Sequence, residues 1–73
     1  MARIQVKSEV TGMVWKIEVP VGSKVEADKP VMIIESMKME IPVTCEVGGT
    51  VIEILVAEGE AVEDGQVVAI LQS

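Results

Sequence analysis

An internal repeat restricts the possible folds of this chain more than any other feature of its sequence. When the sequence is shifted by 37 residues, residues 4–36 overlay residues 41–73 without a gap, and 14 of the 33 aligned pairs are identical. Nine of these pairs are valine or isoleucine and two are glycine. A duplicated fold depends most on its core side chains and turn glycines, so the pattern predicts two copies of one half-fold. We expect the paired Gly22 and Gly59 at positive φ, where any side chain would strain the backbone.

Apolar and polar residues alternate with a period of two along much of each half, which is typical of half-buried β-strands. Residues 2–7 show the alternation clearly and residues 13–19 show a looser form of it. The other expected strands are residues 31–35, 41–44, 51–57 and 67–71. No stretch of ten or more residues carries the three-to-four-residue apolar period of a helix. The chain is therefore predicted to be all-β.

The two half-folds have about four short strands each, and one half alone could not bury its apolar face. Two halves that share one core predict a flattened β-barrel or sandwich with internal pseudo-two-fold symmetry, in a single domain of residues 1–73. Residues 37–40 join the halves. Because Lys38 overlays Met1 under the repeat, we expect the termini to lie close together at the end opposite Lys38.

Charge and composition exclude several classes of function. The formal net charge is −6, whereas nucleic-acid and anionic-membrane partners require a basic face, so we expect neither partner and a monomer in solution. The chain has no histidine, which removes imidazole bases, most catalytic triads and nearly all zinc sites. Cys45 is the single cysteine, so no internal disulfide is possible and we expect no chemistry there. Residues 1–7 lack the apolar core of a signal peptide and the longest apolar run is residues 67–71, so we expect a soluble cytoplasmic protein.

The link between the two halves, residues 35–40, reads Glu-Ser-Met-Lys-Met-Glu. A tight link between strands normally uses Gly, Asn, Asp or Pro, but this one places Lys38 between Met37 and Met39. Apolar side chains around one amine at an exposed tip indicate a site that is presented to another molecule. The residues alone leave a second interpretation open, in which the methionines cap one end of the barrel and the lysine only solvates the turn.

Residues 35–40 resemble the biotin-attachment motif of biotinyl domains, whose core is Met-Lys-Met. The resemblance covers almost the whole chain, through the segments at residues 21–25, 31–35, 49–51, 56–59 and 62–66. It implies a flattened β-barrel of two four-stranded antiparallel sheets, with the target lysine on the exposed hairpin between the halves.

The resemblance also implies a cofactor carrier rather than an enzyme, with no catalytic residue and no metal site of its own. A biotin protein ligase would attach biotin covalently to Lys38 through an amide, with Met37 and Met39 as flanking recognition residues. A biotin carboxylase would load carboxyl onto the biotin, and a carboxyltransferase would pass it to an acceptor. The carrier keeps the arm at high effective concentration near both sites.

Other interpretations remain open at this stage. A lipoyl domain is similar in fold, and Glu35 matches a glutamate that is common three residues before the lysine of such domains, so lipoylation of Lys38 by a lipoate ligase, or acceptance of both cofactors, is an alternative. An unmodified structural or adaptor barrel is another. The motif departs from the family at Ser36, where alanine is frequent, and the chain lacks the protruding thumb of some acetyl-CoA carboxylase biotinyl domains. A start at Met1 and a stop at the end of the repeat favour a small free-standing biotin carboxyl carrier over a carboxylase fragment.

Overall fold

The computed structural model describes residues 2–73, and all regular structure in that range is β-strand. The eight strands are β1 (Arg3–Lys7), β2 (Gly12–Ile17), β3 (Lys24–Val25), β4 (Pro30–Ser36), β5 (Met39–Thr44), β6 (Gly49–Ile54), β7 (Ala61–Val62) and β8 (Val67–Gln72). They form two four-stranded antiparallel sheets with the orders β1-β8-β6-β3 and β5-β4-β2-β7. The predicted all-β fold of two four-stranded sheets is confirmed. Within residues 2–73 no helix has the length and hydrophobicity needed to cross a membrane.

The sequence repeat is also a repeat of structure. A shift of 37 residues converts the bounds of β2 into those of β6 and the bounds of β3 into those of β7, and it converts the strand order of one sheet into that of the other. The ladder irregularities repeat as well, because the pairing skips Trp15 in β2 and skips Ile52, its counterpart, in β6. The two sheets are therefore related by the internal symmetry that the repeat predicted.

The two halves are interlocked, because each sheet contains strands from both of them. In one sheet β1 and β3 come from the first half, while β8 and β6 come from the second. A loop of each half also bonds to a strand of the other half. The N–H of Gly22 donates to the carbonyl of Val51 at 2.7 Å, and the N–H of Gly59 donates to the carbonyl of Val14 at 2.7 Å. These two glycines have φ values of 96° and 88°, as expected. Neither half can satisfy its backbone hydrogen bonds alone.

The core lies between the two sheets and is aliphatic. Its members with at most 1% exposure are Val14, Val31, Met32, Ile34, Val51, Val62, Val68, Ala69 and Leu71. The only aromatic residue of the chain, Trp15, is 50% exposed and takes no part in the core. Cys45 is buried just after β5. Ser8, its counterpart under the repeat, is also buried, and its hydroxyl donates to the carbonyl of Val10 at 2.6 Å.

The observed strands differ from the expected ones at several boundaries. The strands expected at residues 13–19 and 51–57 end earlier, at Ile17 and Ile54. The two-residue strands β3 and β7 are too short to show any period in the sequence. The link between the halves is also shorter than expected, because β5 already begins at Met39.

The β4–β5 hairpin and the described chain ends lie at opposite ends of a fold that measures 36 × 18 × 17 Å. The β5 strand runs away from the hairpin, and a four-residue link then leads into β6. There Thr50 pairs with Gln72 of β8, close to the end of the chain. The N–H of Ser73 donates to the carbonyl of Ala2 at 3.0 Å, so the described ends are neighbours. Met1, which the repeat aligns with the lysine of the hairpin, lies outside the described residues.

Candidate functional site

The β4–β5 hairpin closes through a two-residue turn formed by Met37 and Lys38. Ser36 pairs with Met39 on either side of this turn. The turn residues have φ values of 51° and 64°, and positive φ at both central residues is the requirement of a type I′ turn. This turn type matches the twist of the flanking strands, which explains its use here, but it strongly prefers glycine, asparagine or aspartate.

The backbone of this turn is strained. A residue with a Cβ atom in the left-handed region costs about 1–2 kcal/mol, and Met37 and Lys38 both carry this cost. Asp28 is the one other non-glycine residue with positive φ among residues 2–73, and its counterpart under the repeat is Gly65, at 87°. Strain of this kind persists only where the surrounding structure holds it, and it concentrates at functional sites. The residue types in the turn are therefore explained by their side chains and not by backbone preference.

The side chains at the tip of the hairpin are exposed. Met37 is 90% exposed and Met39 is 58% exposed, and Lys38 is exposed between them. This exposure contradicts the interpretation in which the methionines cap the barrel. The hairpin instead holds a primary amine and two thioethers in solvent at one end of the fold.

The base of the hairpin is fixed to the rest of the fold. The hydroxyl of Ser36 donates to the carbonyl of Thr11 at 2.9 Å, and the hydroxyl oxygen of Thr11 accepts from the N–H of Asp64 at 3.1 Å. Gly12 lies so close to β4 that an added Cβ would collide with the carbonyl of Glu35. The sequence gives no role to Ser36, and the signals near this contact are the identities of Gly12 and Ser36 with their repeat partners, Gly49 and Ser73. These contacts hold the base of the strained turn in place.

Two carboxylates lie below the turn. Glu35 and Glu40 pair directly across the hairpin and both are exposed. Like charges in opposed positions are destabilising, so stability does not explain this pair. Their counterparts under the repeat, Gln72 and Arg3, pair with each other at the far end of the fold. The acidic pair is therefore specific to the end that carries the lysine.

The chain matches a known protein family over nearly its whole length. The model of the biotin/lipoyl family, described as "Biotin-requiring enzyme", matches residues 2–71. The biotin/lipoyl attachment protein of Bacillus subtilis is 40% identical over 62 residues, which are 85% of this chain and 85% of that protein. The biotin carboxyl carrier protein of acetyl-CoA carboxylase from Pyropia yezoensis is 45% identical over 51 residues, which are 70% of this chain and 32% of that protein.

Solved structures agree with the fold described above. The urea carboxylase of Kluyveromyces lactis contains a region with a TM-score of 0.92 and 40% identity, which covers 99% of this chain and 6% of that one. The lipoyl domain of the 2-oxoglutarate dehydrogenase complex from Azotobacter vinelandii has a TM-score of 0.78 and 26% identity, with 96% of each chain covered. The family match over nearly the whole chain and these likenesses lead to one conclusion: the chain belongs to the biotin/lipoyl attachment family.

Proposed function

We propose that this protein is a biotin carrier, biotinylated on Lys38, that moves carboxyl groups between a biotin carboxylase and a carboxyltransferase. The main support is the turn itself. An exposed amine lies between two exposed methionines, on a strained backbone that is held by a fixed hairpin. The reacting groups of the carboxylation reactions belong to the partner enzymes, and this chain positions the attachment point.

The residues of the turn fit the covalent attachment of biotin. The bond that forms is an amide between Nζ of Lys38 and the carboxyl carbon of biotin. A biotin protein ligase activates that carboxyl as biotinyl-adenylate, and AMP leaves as the amide forms. The amine gives up its proton in this step, and the base comes from the ligase. Because the turn projects into solvent, the amine can enter a ligase site while the sheets stay folded. Bound biotin supplies the chemistry of accepting and releasing a carboxyl group.

The two methionines favour biotin over lipoate, because Met37 and Met39 reproduce the Met-Lys-Met core of biotinyl domains. The names of relatives also support this choice, since the Pyropia yezoensis relative is a biotin carboxyl carrier protein of acetyl-CoA carboxylase. The likeness to urea carboxylase, at a TM-score of 0.92, exceeds that to the lipoyl domain, at 0.78. These observations support carboxylases as the partners of this carrier.

A lipoyl carrier, or a carrier of both cofactors, is the second candidate. Glu35 stands three residues before Lys38, as in many lipoyl domains. The Bacillus subtilis relative, which this chain matches over 85% of that protein's length, is named for both cofactors. Lipoylation would use the same amine and the same exposed turn.

Intact-mass measurement after coexpression decides between these candidates. The protein is coexpressed with a biotin protein ligase and, separately, with a lipoate ligase. Lys38→Arg is the test variant, and Lys24→Arg, at another exposed lysine, is the matched control. We expect one biotin-sized increment in the wild type and in the control variant, and none in the test variant. A lipoyl increment alone would reverse the choice of cofactor. No increment with either ligase would contradict a carrier function and favour the unmodified adaptor barrel.

A further inference from the structure

The methionines of this chain differ widely in their access to solvent. Four of the five lie among the described residues. Met32 is in the core at 0% exposure, and Met13 of β2 is 50% exposed. The two that flank Lys38 are the most exposed of the four, with Met37 at 90% and Met39 at 58%. The attachment turn therefore carries the most accessible thioether side chains in the described part of the chain.

A thioether in solvent reacts with hydrogen peroxide. The sulfur lone pair attacks one peroxide oxygen, the O–O bond breaks, and the second oxygen leaves as water with both protons. Sulfur loses two electrons and the peroxide gains them, so the products are one methionine sulfoxide and one water. Two classes of sulfoxide reductase, one for each epimer, return this product to methionine. Because the oxidant must touch the sulfur, a methionine in a packed core reacts only when the structure opens.

Other sulfur atoms of the described fold compete poorly for the oxidant. Cys45 is the only thiol of the chain and it is buried, whereas reactive cysteines are exposed thiolates. Met32 is enclosed by the core. The charges near the turn also favour a neutral oxidant, because Glu35 and Glu40 pair below it and the net charge is −6. Negative charge repels anionic oxidants, but hydrogen peroxide is uncharged.

Oxidation of Met37 changes the surface of the turn and leaves the core unchanged. A side chain that is 90% exposed contributes almost no packing to the fold. The reaction converts a flexible apolar side chain into a polar, chiral one. A partner with an apolar contact surface must then bury the sulfoxide oxygen without a hydrogen bond, which is unfavourable. The effect of oxidation therefore falls on whatever binds the turn.

We propose that Met37 and Met39 form a reversible peroxide-oxidation site that blocks attachment of the cofactor to Lys38, an inference that rests on the proposed function. In the reduced turn, an apolar thioether on each side of the amine contacts the ligase. In the oxidised turn, sulfoxides occupy these two positions next to the reacting Nζ. The amine is chemically unchanged, but the ligase must strip water from the sulfoxides to bring it to the adenylate. Attachment therefore slows in the presence of peroxide and recovers when the sulfoxides are reduced.

The order of oxidation tests the site without any use of the ligase. The folded, unmodified protein is treated with hydrogen peroxide, catalase stops the reaction, and tandem mass spectrometry locates the added oxygen in each methionine. We expect Met37 to react first and Met32 last, in the order of their exposure. Oxidation of Met32 or Cys45 as fast as Met37 would overturn the proposal. A loss of the folded circular dichroism spectrum once Met37 and Met39 are oxidised would also overturn it, because the barrel would then be the target.

The rate of biotinylation tests the consequence. Protein with both turn methionines oxidised is freed of peroxide before a biotin protein ligase is added, so that the ligase itself stays reduced. We expect kcat/KM to fall at least about tenfold, since burial of an unpaired acceptor disfavours the complex. Treatment with the two classes of methionine sulfoxide reductase should restore the original value. Equal rates for the reduced and oxidised forms would overturn the proposal, and so would a fall that the reductases do not reverse.

The remaining exposed methionine supplies the matched control. Met13→Leu removes a thioether away from the turn, so peroxide should slow the biotinylation of this variant as it slows that of the wild type. Met37→Leu with Met39→Leu keeps apolar side chains that hydrogen peroxide does not oxidise. Peroxide should leave the rate of this double variant, compared with its own untreated rate, unchanged, and a fall there would contradict the proposal. If the double variant reacts too slowly to measure, recovery of the oxidised wild type with the reductases decides.

The two proposals fail in different ways. Absence of a biotin increment in untreated protein would count against the proposed function. Equal rates before and after verified oxidation of the turn would count against the peroxide site alone.

Discussion

Relief of the strain in the β4–β5 turn should make the protein more stable without changing its fold. Met37 has a φ of 51° and is 90% exposed, so its replacement removes strain and almost no packing. A side chain with a Cβ costs about 1–2 kcal/mol in the left-handed region, and asparagine is several-fold enriched there. We expect Met37→Asn to raise the free energy of unfolding by about 1 kcal/mol, which corresponds to about 4–8 °C in Tm for a domain of this size.

Urea unfolding followed by circular dichroism, with Trp15 fluorescence as a second probe, measures the effect. The matched control is Met39→Asn, two residues further on. Met39 begins β5 and is 58% exposed, and asparagine is unfavourable in strands on a scale that spans about 1 kcal/mol. The same substitution should therefore stabilise at the first position and destabilise at the second.

A Met37→Asn variant with unchanged or lower stability, at an unchanged m-value, would refute the reasoning about strain. A second readout concerns function. If Met37 contributes apolar contact to a ligase, the stabilised variant should be biotinylated more slowly than the wild type. Greater stability with slower modification would show that the turn retains methionine for recognition at a cost in stability.

Three further substitutions test the contacts that hold the hairpin and the equivalence of the repeat-related positions Cys45 and Ser8. Gly12→Ala should lower the free energy of unfolding by about 1–3 kcal/mol, because the new Cβ has no room beside β4; a thermal melt equal to that of the wild type would contradict this packing. Ser36→Ala removes the hydrogen bond to Thr11, so we expect a loss of about 1 kcal/mol and faster amide exchange in the hairpin by NMR, and unchanged exchange would show that this bond does not hold the turn. Cys45→Ser should change stability by less than about 1 kcal/mol, because the equivalent Ser8 is buried with its hydroxyl satisfied; a loss of several kcal/mol in urea would show that the two positions differ.

The fold was largely predictable because most of the identical residues of the repeat form turns or the core, and both halves of a duplicated fold need these. Gly22 and Gly59 have the positive φ expected of them, and the paired valines and isoleucines supply most of the core. The exchange of strands between the halves was not predictable, because a period of two identifies a strand and not its partner. Arg3 pairs with Gln72 from the opposite end of the chain.

The candidate site was predictable in part. The exposed Lys38 and its methionines follow from the motif, and the lack of ordinary turn residues already marked the link as unusual. The bulge that turns Trp15 outward left only a looser alternation in the sequence. The anchor between Ser36 and Thr11 joins residues 25 positions apart, and such a contact depends on the pairing of β2 with β4. Contacts of this kind carry no pattern along the chain.

The interlocking of the two halves also determines which sheet can be completed first during synthesis. During synthesis the hairpin sheet has all four of its strands once β7 has been made, but the opposite sheet needs β8, which lies between β1 and β6 and is translated last. Val68, Ala69 and Leu71 of β8 are fully buried, so the core stays open to water until these residues are present. A chain without β8 leaves the inner face of the hairpin sheet open to water, so we expect its hairpin to be less firmly held. If Lys38 carries the cofactor as proposed, the strand order predicts that attachment follows the synthesis of β8.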